Sequence, residues 1–289
     1  MNSKFILGTV QFGLNYGINN KKGKVSDEEV NKILLLAAKS GIRILDTAYS
    51  YGNAMEKIGN FHKKTDLLFE VNTKFKIDNK KVNSISEQLL EALSCLAVSS
   101  VDTYFYHSFD DYKNNPQILT ELKKLRKKNY FKKIGVSIYN NDEMIHCINN
   151  DAIDVIQLPF NLFDNNNLRG EMIREAKKNN KEIHIRSVFL QGLFFMNPAY
   201  LSLKLTPLAP YLKEIHRIAM ELKISIAELA LAYVKKEPCI DRIIIGVDSA
   251  MQLENNFLAS VFEMNEYTYN LINKLVVKET MLLNPQNWK

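Results

Sequence analysis

The chain has 289 residues, of which 46% are hydrophobic and 24% charged, with a formal net charge of +6. That is an ordinary globular composition, long enough for one large domain or two ordinary ones, and it excludes a disordered or fibrous chain. No apolar run approaches the roughly 18 residues of a membrane span, and no secretory leader follows Lys4, so a cytoplasmic protein outside the membrane is expected.

In chain order, Phe5 to Thr9 is a short apolar strand. Gly13, Gly17 and Gly23 mark the loop after it. Ser26 to Glu29 has capping-box spacing, and Val30, Ile33, Leu34 and Ala37 give the following helix one apolar face. Gly41 closes it. A second strand runs from Ile42 to Asp46, and Asn53 is the expected N-cap of the next helix. Strand three is expected over Leu67–Lys74, followed by a helix carrying Ile85, Leu89, Leu93 and Leu96. Strand four is Val101–Tyr106, with His107 at its end, and Ile118, Leu122 and Leu125 mark another helix. Strands five to eight are expected at Ile134–Ser137, Asp154–Leu158, Glu182–Ser187 and Arg242–Gly246. The apolar segment 189–207 reads as a lid over a site or as a packed surface loop. The end of the chain reads as a helix and a tail, with Trp288 across a barrel mouth or against outer helices.

Eight short branched-rich strands alternating with helices, undivided by any linker, predict an α/β (β/α)8 TIM barrel forming one domain over residues 1–289. A doubly wound sheet would carry GxGxxG after an early strand, and this chain has neither that nor P-loop spacing. The basic run Lys123 to Lys128 lacks interleaved aromatics and reads as a solvated helix face, so no nucleic-acid partner is expected. Cys95, Cys147 and Cys239 are far apart with no CxxC, which fits reduced, buried thiols.

Barrel enzymes carry their chemistry at the carboxyl ends of the strands. Here those ends read Asp46, Lys74, His107, Ser137, Gln157, Arg186 and Gly246, with Tyr51 on the loop after strand two. Taken singly, the histidine is an ordinary core residue, the aspartate a cap and the lysine an exposed strand end; their occurrence at successive strand ends favours a site. A carbonyl reduced by hydride needs a proton for its developing alkoxide. Tyr51 supplies one if a neighbouring Lys74 cation lowers the phenol's pKa, normally about 10. Asp46 balances the buried lysine, and a neutral His107 orients the carbonyl.

Asp-Thr-Ala-x-x-Tyr-Gly over 46–52, followed by Glu56 and Gly59, resembles the signature of the aldo-keto reductase family. The resemblance spans nearly the whole chain and implies a single-domain barrel acting on a small-molecule carbonyl with NADP(H), the family default, NAD(H) being the open alternative, and with no metal. It implies Asp46, Tyr51, Lys74 and His107 as the catalytic set. Gly8 and Thr9 end strand one within the cofactor site; Ser137 and Gln157 would hold the carboxamide; Arg186 and Ser187 would lie near the nicotinamide. Gly246, Asp248, Gln252, Asn255 and Asn256 resemble the adenosine-phosphate end. Some positions depart from the pattern. Ile138 stands where many members have Asn, and Gly246 and Gln252 where NADP-preferring members place Lys and Arg. Asp248 would repel a 2′-phosphate. The chain reaches strand one within four residues, so the family's hairpin plug on the barrel floor is expected to be short or missing. Residues 7–18 resemble bacterial members associated with surface-polysaccharide synthesis, which implies a sugar or sugar-nucleotide carbonyl. Two other classes stand beside this reading: a cofactor-sensing regulatory barrel with little turnover, and a metal-dependent barrel hydrolase. Oligomeric state is left open.

Overall fold

A computed structural model describes residues 4–77 and 84–288 of the chain. Eight parallel strands close into a barrel: β1 Phe5–Gly8, β2 Ile44–Asp46, β3 Glu70–Phe75, β4 Val101–Tyr106, β5 Phe131–Ser137, β6 Val155–Pro159, β7 Glu182–Arg186 and β8 Arg242–Gly246. Each pairs with its sequence neighbour, and β8 returns to β1 through Phe5↔Ile243 to Gly8↔Gly246. The helices run between them: α1 Val10–Gly13, α2 Asp27–Lys39, α3 Ala54–Lys64, α4 Ile85–Leu96, α5 Phe109–Asn114, α6 Ile118–Lys127, α7 Asn141–Ile148, α8 Asn166–Lys178, α9 Ala209–Leu222, α10 Ile226–Lys236, α11 Ala250–Ala259 and α12 Glu266–Asn273. The main core lies between barrel and helices, where Ile33 and Leu34 of α2, Ile58 of α3 and Leu89 of α4 meet the outward residues of the strands.

Register decides what faces inward. Partners in a parallel ladder point to the same face, so Gly8, Asp46 and Asn72 share the interior, as do Lys74, Phe105 and Gly135, and Ser137, Gln157 and His184. The Phe105 ring lies against Gly135, filling space that a side chain there would occupy, and so fills the middle of the barrel.

Some expected limits move. Leu67 and Leu68 precede β3 as exposed loop residues, because they have no ladder partner to cover them. Strand β5 begins earlier than expected, at Phe131: Lys132 and Lys133 look like a break in an apolar run, but Lys133 finds Glu182 at 2.7 Å. Asn53 precedes α3 without capping it, and its Oδ1 is buried without a partner. Segment 189–207 mixes both readings given to it. Leu190, Leu193 and Phe194 are fully buried, whereas Tyr200 and Leu203 are among the most exposed apolar residues. The tail lies along outer helices: Lys278 N donates to Tyr211 of α9, and Trp288 folds back to donate to the Leu282 carbonyl at 2.8 Å. The expectation about a floor plug falls in part on residues 1–3, outside the described residues. Among the described residues no helix is long and apolar enough to cross a membrane, and no three His, Cys, Asp or Glu side chains are grouped to hold a metal ion.

Candidate active site

At the carboxyl end of the barrel Lys74 Nζ is ion-paired with Asp46 Oδ1, both side chains almost fully buried. The same ammonium donates to the Thr47 carbonyl at 3.1 Å, and Gln157 Nε2 donates to Asp46 Oδ2 at 2.9 Å. Each carboxylate oxygen therefore has a donor, which a buried charge requires.

Tyr51 sits on a tight turn above this pair. Tyr51 N donates to the Ala48 carbonyl at 3.0 Å, and Ala54 N to the Tyr51 carbonyl at 3.1 Å. Gly52 at φ +55 makes the turn possible, and its backbone packs on Gly13 of α1; a Cβ on Gly13 would collide with the Tyr51 carbonyl. Two glycines thus let the loops after β1 and β2 touch backbone to backbone. The phenol ring lies 5.4 Å from Lys74 Nζ and packs edge-on to the His107 imidazole, 5.8 Å between centroids. Ser50 Oγ is 3.3 Å from His107 Nδ1.

Protonation follows from this geometry. Burial pushes the Tyr51 phenol well above its ordinary value and the Asp46 charge adds to that; Arg186 pulls it down. The expectation that Lys74 lowers this phenol is not met. The lysine's charge is matched by Asp46, burial draws its own pKa down, and Arg186 is the cation that acts on Tyr51. Burial, reinforced by the Lys74 and Arg186 cations, pushes His107 down to about 3, leaving a neutral imidazole at ordinary pH.

Arg186 is held beside these groups from the end of β7. Its guanidinium donates to the Ile138 carbonyl at 3.0 Å and to Ser187 Oγ at 3.4 Å, and lies 4.2 Å from the Tyr139 ring centroid. Tyr139 is held in turn by Arg169, which donates to its carbonyl at 2.5 Å and pairs with buried Asp164. So Ile138, where many family members carry Asn, contributes its backbone oxygen to Arg186. Ser137 is buried beside its ladder partner Gln157. Thr9 is a brace, its hydroxyl donating to the Asp46 carbonyl at 3.0 Å. Asn161 is occupied by its own turn, accepting from Phe163 N and Asp164 N.

Gly246, Asp248, Gln252, Asn255 and Asn256 form a second group, where β8 enters α11. Gln252 Oε1 accepts from Asp248 N at 3.0 Å, Ser249 Oγ accepts from Gln252 N at 3.3 Å, Asn255 is exposed and Asn256 is buried. Glu29 joins them from α2, its Oε1 accepting from Ala250 N at 2.7 Å. In sequence it reads as the third residue of a capping box. Ser26 does accept from Glu29 N, but the carboxylate serves the N-terminus of α11. Tyr16, Ser50, Tyr139 and Glu29 escape a reading of strand ends, since each lies on a loop or an outer helix.

Gly8 and Gly246 face each other on neighbouring strands without side chains, and a Cβ on Gly246 would come within 2.7 Å of the Gln11 amide. Gln11 Oε1 is buried there without a partner. Ser137 and Gln157 supply polar groups, and Arg186 supplies positive charge.

A closed ring of eight parallel strands wrapped by helices, with its polar groups gathered at the carboxyl end, is an α/β (β/α)8 barrel. The chain belongs to the aldo/keto reductase family, whose model matches residues 4–277. Proteins named aldo-keto reductase from Mycolicibacterium paratuberculosis and Mycobacterium avium are each 29% identical to it over 126 residues, 41% of this chain and 43% of theirs. The alignment thus spans less than half the length of these curated relatives. In fold, the chain is similar to MGS-M4, an aldo-keto reductase enzyme from a Medee basin deep-sea metagenome library (20% identity, TM-score 0.68, covering 96% of this chain and 93% of that one). It is also similar to PA4992 of Pseudomonas aeruginosa (18% identity, TM-score 0.67, 90% of each chain).

Proposed function

We propose that the protein reduces an aldehyde or ketone with a nicotinamide cofactor, with Tyr51 as the general acid. The observation that carries this is the conjunction at the mouth of a protonated phenol, a neutral imidazole and a buried Lys74–Asp46 pair. Tyr51 Oη donates its proton to the carbonyl oxygen as that oxygen gains charge. His107, with Ser50 beside Nδ1, presents Nε2–H to the same oxygen. Arg186 stabilises the phenolate left behind, and Asp46 with Gln157 fixes Lys74 beneath the ring. General acid catalysis of this kind contributes roughly 10²–10⁴-fold. Ser137, Gln157 and Arg186 would hold the nicotinamide end of the cofactor, which supplies the hydride. Glu29 and Asp248 put negative charge where an adenosine 2′-phosphate would sit, so NADH is the expected partner over NADPH. The likeness of residues 7–18 to polysaccharide-associated members favours a cytoplasmic sugar carbonyl as substrate.

The test is parallel titration with NADH and NADPH, read by nucleotide fluorescence, followed by carbonyl-dependent oxidation of the bound nucleotide. Binding with turnover supports the reductase. Binding without turnover of any aldehyde or ketone favours the cofactor-sensing barrel, and binding of neither nucleotide by folded protein refutes both.

A further inference from the structure

Directly after Arg186 the backbone enters an unfavourable conformation. Ser187, Leu190 and Gln191 have φ of +62, +45 and +55, a left-handed region that residues with a Cβ adopt only at a cost. Such a run persists only where its surroundings impose it. Asn161 Nδ2 donates to the Ser187 carbonyl at 3.1 Å, and Leu190 is fully buried. Ile18 N donates to the Gln191 carbonyl at 3.1 Å. The result is that the Gln191 side chain, carried on the segment after β7, reaches past β8 to the loop after β1. There Nε2 donates to the Tyr16 hydroxyl at 3.0 Å.

That contact has a direction. An amide N–H only donates, so the Tyr16 oxygen is the acceptor and its own hydrogen remains to be given. No acceptor for it appears among the described residues. Tyr16 lies on the loop whose Gly13 packs against the Tyr51 turn, and at 36% exposure it is not packed in a core. A phenol, with an ordinary pKa of about 10, keeps its hydrogen at neutral pH. The site therefore holds two phenol donors. Tyr51 answers to the reacting oxygen, and nothing in the protein answers to Tyr16.

We propose that Tyr16, oriented by Gln191, is a specificity-determining residue whose hydroxyl donates to a second substrate oxygen beside the reacting carbonyl. This rests on the reductase reading of the site. It makes Gln191 a positioning residue and gives the left-handed run a purpose, which is to aim an amide at a phenol across the mouth.

The experiment compares D-glyceraldehyde with propanal, which lacks the neighbouring oxygen, in the parent, Tyr16→Phe and Gln191→Glu, using whichever nucleotide binds. Each kcat/KM is referred to the unhydrated fraction of its aldehyde, so the aldehydes' differing hydration does not enter the comparison. The parent is expected to favour glyceraldehyde by about 10–100-fold, the range for a hydrogen bond made or left unmade in a site. Tyr16→Phe should remove most of that preference through the glyceraldehyde arm alone, with propanal within about threefold. Gln191→Glu replaces a donor by an acceptor, draws the Tyr16 hydrogen inward, and should remove the preference with Tyr16 still present. It also carries the test if Tyr16→Phe does not fold. Equal loss on both aldehydes, no change in either variant, or a parent without preference would overturn the proposal. A parent that reduces neither aldehyde, despite binding nucleotide, overturns the reductase reading and this inference with it.

Discussion

The two ends of the barrel interior use the same kinds of side chain in opposite ways. At the floor, Lys133 bridges Glu182 at 2.7 Å and Asp102 at 3.5 Å, and fully buried His184 meets Glu182 at 2.8 Å. Burial works against the Glu182 charge, but His184 and Lys133 outweigh it and hold that carboxyl down to about 2. At the mouth desolvation wins: the phenol is pushed up, the imidazole down, and both stay neutral. Phe105 stands between the two ends, its ring 5.8 Å from Lys74 Nζ and 6.1 Å from the His184 ring. The difference lies in the number of partners. A group with several opposite charges keeps its charge when buried, and a group with none keeps its proton or its lone pair.

The comparison breaks first at Tyr51. Tyr51→Phe should lower turnover by about 10²–10⁴-fold while leaving nucleotide affinity within about twofold, because only the donated proton is lost. Fluorescence titration beside steady-state kinetics checks this, and retained turnover would mean another group supplies the proton. Lys74→Met strands a buried carboxylate with Gln157 as its remaining partner. It should destabilise the fold by about 3–5 kcal/mol in denaturant unfolding, and adding Asp46→Asn should restore part of the loss.

The floor responds to pH with the opposite logic. The Glu182 carboxyl is depressed in the folded state, so its contribution is complete above the ordinary value of 4.5 and is lost as pH falls toward about 2. Glu182→Gln should cost on the order of 2–3 kcal/mol at neutral pH, and the gap between parent and variant should shrink as unfolding is measured from pH 6 down to about 3. A constant gap would mean that the network stabilises through packing alone. At the mouth, His107 charges only near pH 3, so kcat/KM should show no imidazole limb between about pH 5 and 8. The smallest effect is expected at the outer corner. Glu29→Gln should narrow an NADH-over-NADPH preference by a few fold in direct titration, by removing one partly exposed charge.

How far the sequence reaches follows from the same geometry. Strand order, the closed barrel and the strand-end constellation were legible because each depends on local pattern: branched runs, caps, and a polar residue where a strand stops. The Asp46–Lys74 pair was legible because neighbouring strands must pair. What escaped depends on residues far apart in the chain. Glu29 and Ala250 are 221 positions apart, Tyr16 and Gln191 are 175 apart, and nothing local marks either contact. The direction of the Tyr51 shift escaped for another reason. It is a balance between burial and two charges, Asp46 and Arg186, and residue types alone do not give the depth of a side chain. The start of β5 at Phe131 escaped a reading that began it at Ile134, because a lysine inside a barrel makes sense only once Glu182 and Asp102 are seen around Lys133.

The backbone contact between Gly13 and Gly52 has a consequence for how this protein tolerates variation. Neither glycine has a side chain to offer chemistry, yet any residue at position 13 must lift the turn that carries the phenol. A survey of all single substitutions scored by activity would rank Gly13 alongside Tyr51, while the same survey scored by folded yield would separate them. The loop after β1, which contributes nothing to the proton transfer, thus holds a veto over it.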